Sequence, residues 1–147
     1  MTPHEFAAIR KRVGIDFGPD RPAESFPNEK ARAVWQIRWL SWLVNVTPRN
    51  VSRWQKPSNY GPHPTAVRII EWALAGHMRP DVPDRSMTGE DFAIARESLN
   101  LTQEDMASII GIDADLLDQW ESERGPHPSA CAVMSWLLAG WVPPATA

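Results

Sequence analysis

The tetrapeptide GPHP occurs twice, at Gly61 and at Gly125, and its surroundings repeat with it. After the first copy the chain reads PTAVRIIEWALAG to Gly76; after the second it reads PSACAVMSWLLAG to Gly140. Upstream, NVTPRNVSRW (Asn45 to Trp54) aligns with GIDADLLDQW (Gly111 to Trp120). MTPHEFAAIRKR at the start aligns with MTGEDFAIARES from Met87, matching Phe6 to Phe92 and Arg10 to Arg96. Four segments in one shared order imply two copies of one small fold. The first copy carries about twenty extra residues between its first and second helices, and two more between Trp54 and GPHP.

Caps and breakers predict the elements. Thr2 and Thr88 suit the N-caps of first helices, with Phe6 and Phe92 facing inward. Asn28 to Val44 reads as a long second helix and Thr102 to Ile110 as its shorter counterpart. Thr47 and Asp113 are placed to cap third helices. Pro48, Pro64 and Pro128 fit first helical turns, and the fourth helices stop at Gly76 and Gly140. Nothing alternates with the period of a strand. The expected fold is all-α, with two tandem domains of about four helices each. The basic domain covers 1–78, with a loop insertion near 16–30 that holds three prolines between Asp16 and Asn28; 79–87 is the linker, and 88–142 the acidic domain.

Composition adds limits. The lone cysteine, Cys131, has no partner for an internal disulfide, as suits a reducing compartment. No stretch approaches the ~20 apolar residues of a membrane span, and the first residues lack the apolar run of a signal peptide. A cytoplasmic protein without a membrane role is expected. The net charge of −3 hides a split. Residues 1–86 hold 13 Lys and Arg against 8 Asp and Glu, a net +5. Residues 87–147 hold 2 against 10, a net −8. The basic half attracts phosphate and the acidic half repels it.

A helix-turn-helix needs a small residue where two helices approach, a turn residue tolerant of positive φ, and apolar residues at fixed offsets. Ala107 and Gly111 meet the first two needs in the second copy, with Met106, Ile110, Ile112, Leu117 and Trp120 as the apolar set. Ser41 and Asn45 take those places in the first copy, with Leu40, Val44, Val46, Val51 and Trp54. Through Phe92, Arg96, Leu99, the LTQ of Leu101 to Gln103, Ala107, Gly111 and Trp120, the second copy resembles the lambda-repressor/Cro-like helix-turn-helix family. The resemblance spans about residues 88–140 and reaches the first copy through the repeat. It implies a small helical domain that binds operator DNA, often as a dimer. It also implies that Gln103, opening helix two, holds the family's phosphate-contact place; the first copy has Ile37 there and Gln36 one residue earlier.

The third helices separate the copies. With Val51 and Trp54 inward, Arg49, Asn50 and Arg53 point outward, where Arg pairs with guanine and Asn with adenine edges. Gln36, Arg38, Lys56, Asn59 and Tyr60 are the expected phosphate contacts. The second copy offers Asp113, Asp115 and Asp118 instead, either as helix-dipole partners or as a protein surface. Trp39 and Trp42 correspond to Asp105 and Ser108; cover from the insertion by Phe17 or Phe26 is expected, with a protein interface as the alternative. His63 and His127 read as turn residues of GPHP, since one His per copy falls short of a metal site. No cofactor, metal or catalytic group is expected, and no enzyme. The expected function is a sequence-specific transcriptional regulator that binds double-stranded DNA through its first domain. Its second domain would dimerise or hold a protein partner. The rival is an antitoxin-like or adaptor protein working through protein–protein contacts.

Overall fold

A computed structural model describes residues 1–58 and 60–144. The described residues form eight α-helices and no strand. They are α1 (Pro3–Arg10), α2 (Glu29–Val44), α3 (Pro48–Arg53), α4 (Pro64–Leu74), α5 (Gly89–Ser98), α6 (Gln103–Ile110), α7 (Ala114–Gln119) and α8 (Pro128–Leu138). A 3₁₀ turn, Ala23–Ser25, lies in the insertion, and a π turn, Trp120–Arg124, extends α7. No helix among the described residues is long and apolar enough to cross a membrane.

The repeat registers carry over to the helix ends. The third helices start at Pro48 and Ala114 and stop at Arg53 and Gln119, which are aligned pairs, and the fourth helices match at both ends. Local chemistry sets these bounds. Thr2, Thr47, Thr88 and Thr102 each accept a backbone N–H three residues on, and Asn28 accepts from Ala31 at 2.9 Å. Asp113 holds the cap position of α7 but its side chain makes no cap bond. Asn45 (φ 56°) and Gly111 (φ 76°) end α2 and α6 in the left-handed conformation, the geometry that turns each chain into its third helix.

His63 and His127 are themselves N-caps. Each Nδ1 accepts a backbone N–H at the start of the fourth helix, from Thr65 and from Ser129, both at 3.1 Å. The turn reading of GPHP thus gains a specific bond. The two imidazoles then stack on each other, 4.0 Å between centroids and 11° between planes. Equivalent residues meet in this way where a two-fold axis passes between them, so the copies face one another across an approximate two-fold.

Other contacts tie the copies together. Ser129 Oγ donates to the Val44 carbonyl at 2.6 Å, and Asn45 Nδ2 donates to the Pro128 carbonyl at 2.9 Å. Trp141 packs against both Trp72 and Trp136. One continuous apolar cluster runs through both halves, from Phe6 and Leu40 to Met134 and Trp136. The 79–87 segment is non-helical, as expected, yet it is docked. The Arg79 guanidinium lies between the Trp42 and Trp136 rings, pairs with Asp84 at 2.6 Å and donates to the Trp42 carbonyl. Asp84 also accepts from Trp136 Nε1.

Candidate nucleic-acid interface

The α3 surface follows from what α3 buries. Val51 is fully buried and Trp54 nearly so, with the Phe6 ring edge-on to the Trp54 indole at 5.5 Å. This leaves Arg49, Asn50 and Arg53 exposed, all three on the solvent side of the helix. Asn50 and Arg53 line a shallow crevice of about 280 Å³ with Val46, Trp54 and His127. Lys56 follows one turn on and is exposed, as is Tyr60, at 99%. Arg38 is exposed on α2. Asn59 lies outside the described residues. The structure therefore brings Arg49, Asn50, Arg53 and Lys56 onto one helix and its extension.

Gln36 is a correction. It is 1% exposed and spends its polar atoms inward, accepting from Arg10 Nη1 at 2.6 Å and donating to the carbonyls of Lys11 and Val13. A side chain held by three internal partners has nothing left for a phosphate. The longer α2 of the first copy starts before the position of Thr102, so Gln36 falls on the inner face of a helix already under way.

Sequence reasoning missed the arginine behind each third helix. Arg10 Nε donates to Gln55 Oε1 at 2.5 Å, and the aligned Arg96 makes a two-pronged pair with Glu121, at 2.8 and 3.0 Å. In both copies the first helix therefore latches the end of the third. The matched Arg10 and Arg96 were the available signal; their partners sit one residue past each aligned Trp. Burial, then the nearby Arg32, lowers the Arg10 pKa, whereas the Glu121 hydrogen bond raises that of Arg96. Gln103 is engaged as well, donating to Asp118 and Glu121 at 3.2 and 3.1 Å. The Gln103 side chain, expected from the resemblance to face a phosphate, is thus directed at the second copy's own carboxylates.

Asp113, at the cap position of α7, and Asp115 and Asp118, on α7, are exposed, with Glu123 beyond them. In the alignment Asp113, Asp115 and Asp118 stand at Thr47, Arg49 and Ser52, so this surface is anionic where the α3 surface carries Arg49 and Arg53.

The extra tryptophans divide. Phe17 meets Trp39 edge-on at 5.7 Å and Phe26 lies against Trp35 at 5.5 Å, so the insertion does cover Trp39. Gly18 lets the loop lie close: a Cβ there would come within 3.2 Å of the Trp39 ring. Trp42 stays 48% exposed, at the edge of a cleft of about 570 Å³ that Phe17, Trp39, Leu74 and Met78 also line. No protein-family model, curated protein or solved structure matches this chain.

Proposed function

We propose that the protein is a sequence-specific DNA-binding transcriptional regulator of two tandem helix-turn-helix domains, acting in the cytoplasm, whose first domain reads the major groove. One observation carries this reading. Two matched helices with matched buried residues present opposite charge: Arg49, Asn50 and Arg53 on α3, Asp113, Asp115 and Asp118 on α7. Guanidinium forks and a carboxamide are the groups that read base edges, while carboxylates set against a polyanion cost free energy. Arg38, Lys56 and Tyr60 flank α3 for the backbone. The second domain supports the first through the His63–His127 stack and the Ser129–Val44 bond rather than by touching DNA. The test is retention of genomic duplex fragments by the full chain. Retention should fall steeply with salt and with Arg53→Ala, and indifference to both ends the proposal.

A second reading, an antitoxin-like or adaptor protein, is favoured by half-exposed Trp42 beside its apolar cleft. It predicts a stoichiometric protein partner that is lost on Trp42→Ser and kept on Arg53→Ala.

A further inference from the structure

Resting on the DNA reading above, we infer that one chain is an internal pseudo-dimer and that its target is a single, non-palindromic stretch of duplex. A chain with two reading units invites the opposite expectation, that it spans two half-sites. Two observations oppose this.

The first is distance. His127 lines the α3 crevice beside Asn50, Arg53 and Trp54. Its ring stacks on His63 at 4.0 Å, and His63 in turn lies 5.7 Å from Trp120, the residue that ends α7. The His127 ring in the wall of the α3 crevice therefore lies within roughly 10 Å of the Trp120 ring at the end of α7, whereas helices in successive major grooves stand ~34 Å apart. The ends of the two third helices thus approach one central histidine pair, an arrangement that opposes their entering successive grooves of straight duplex. The copies are also held in that arrangement. Buried Ser129 bonds across to α2, Asn45 bonds across to the start of α8, and the segment joining the copies is pinned by Arg79 between Trp42 and Trp136.

The second is surface. A symmetric operator needs two chains related by a two-fold, joined through a self-complementary face. Here α4 and α8 already use one another: Ile69, Ile70 and Trp72 on the first, and Ala132, Val133 and Trp136 on the second, are buried within the chain. The second copy occupies the place where a mate would sit. With Asp113, Asp115 and Asp118 exposed at α7 in the second copy, one chain offers duplex cationic side chains from one copy and carboxylates from the other. That asymmetry fixes a direction on the DNA, which a palindrome lacks.

The test uses the full chain and a duplex sequence selected from a random pool. Sedimentation of the protein alone should give the mass of one chain. The selected consensus should lack two-fold symmetry and span about one helical turn, on the order of 10 base pairs. A duplex with one copy of it should bind one chain. Two inverted copies a turn apart should bind two chains independently, each with a Kd within about twofold of the single site. A dimer in free solution, or a palindrome bound more than tenfold tighter than its half, overturns the pseudo-dimer inference and leaves the DNA reading standing. Retention of no duplex at all overturns both.

Discussion

The latch behind each third helix is built from the matched arginine in both halves of the molecule, and its partners differ in charge. Arg10 meets the neutral amides of Gln55 and Gln36; Arg96 meets the carboxylate of Glu121 and the carbonyl of Leu101. Geometry is kept while charge changes. The basic half leaves the cation of its latch without a counter-charge, whereas the acidic half neutralises its latch with Glu121 and directs Gln103 at its own carboxylates. A shared fold therefore constrains the buried positions and leaves the exposed ones to diverge. The proposed division of labour rests on those exposed positions.

The largest expected effect tests the latches. Arg96→Ala leaves Glu121 buried without its cation and should cost about 3–5 kcal/mol in urea unfolding. Arg10→Ala removes bonds between a cation and neutral amides and should cost about 1–3 kcal/mol. Equal costs would break the comparison. Next comes Arg53→Ala, expected to weaken duplex binding by about 1–3 kcal/mol, roughly fivefold to 150-fold, at unchanged stability. Gln119→Ala, its counterpart on α7, should leave the Kd unchanged in the same titration.

Acid tests the join between the copies. Burial holds both stacked imidazoles below their ordinary pKa of 6.5, and for His127, where His63 adds its repulsion, down to about 4. Unfolded histidines take up protons near pH 6.5 while the folded pair resists, so the unfolded state binds more protons in this window. Stability is then complete above pH 6.5 and is lost as pH falls towards 4. Between pH 7 and 4.5 the Tm should drop by at least on the order of 2–4 °C from this source. His127→Asn keeps a capping side chain and removes one titrating group, and should flatten the slope. An unchanged slope would remove the stack from the account. The smallest effect tests α7: Asp115→Asn with Asp118→Asn should tighten duplex binding by about 0.3–1 kcal/mol at low salt and by nothing measurable at high salt.

Much of the candidate surface was legible because exposure on a short helix follows from its neighbours. Once Val51 and Trp54 face inward, the spacing of 3.6 residues per turn sends Arg49, Asn50 and Arg53 outward. Gln36 was not legible. Its role depends on where a longer α2 passes Arg10 and Val13, and the insertion that lengthens it has no counterpart in the second copy. Trp39 was readable as covered, by way of Phe17, but the partial exposure of Trp42 depends on how the docked Arg79 lies over it.

What the amino-acid order determined unaided was the repeat, the eight helices with the caps at Thr2, Thr47 and Thr88, and the difference in charge between two matched surfaces. These depend on residues close in sequence, where propensity, capping and helical period act directly. Tertiary structure alone decided that His63 stacks on His127 with Trp120 beside it, and that Arg79 pins the joining segment. Each of these joins residues tens of positions apart, and burial of the apolar faces of α4 and α8 against one another selects them.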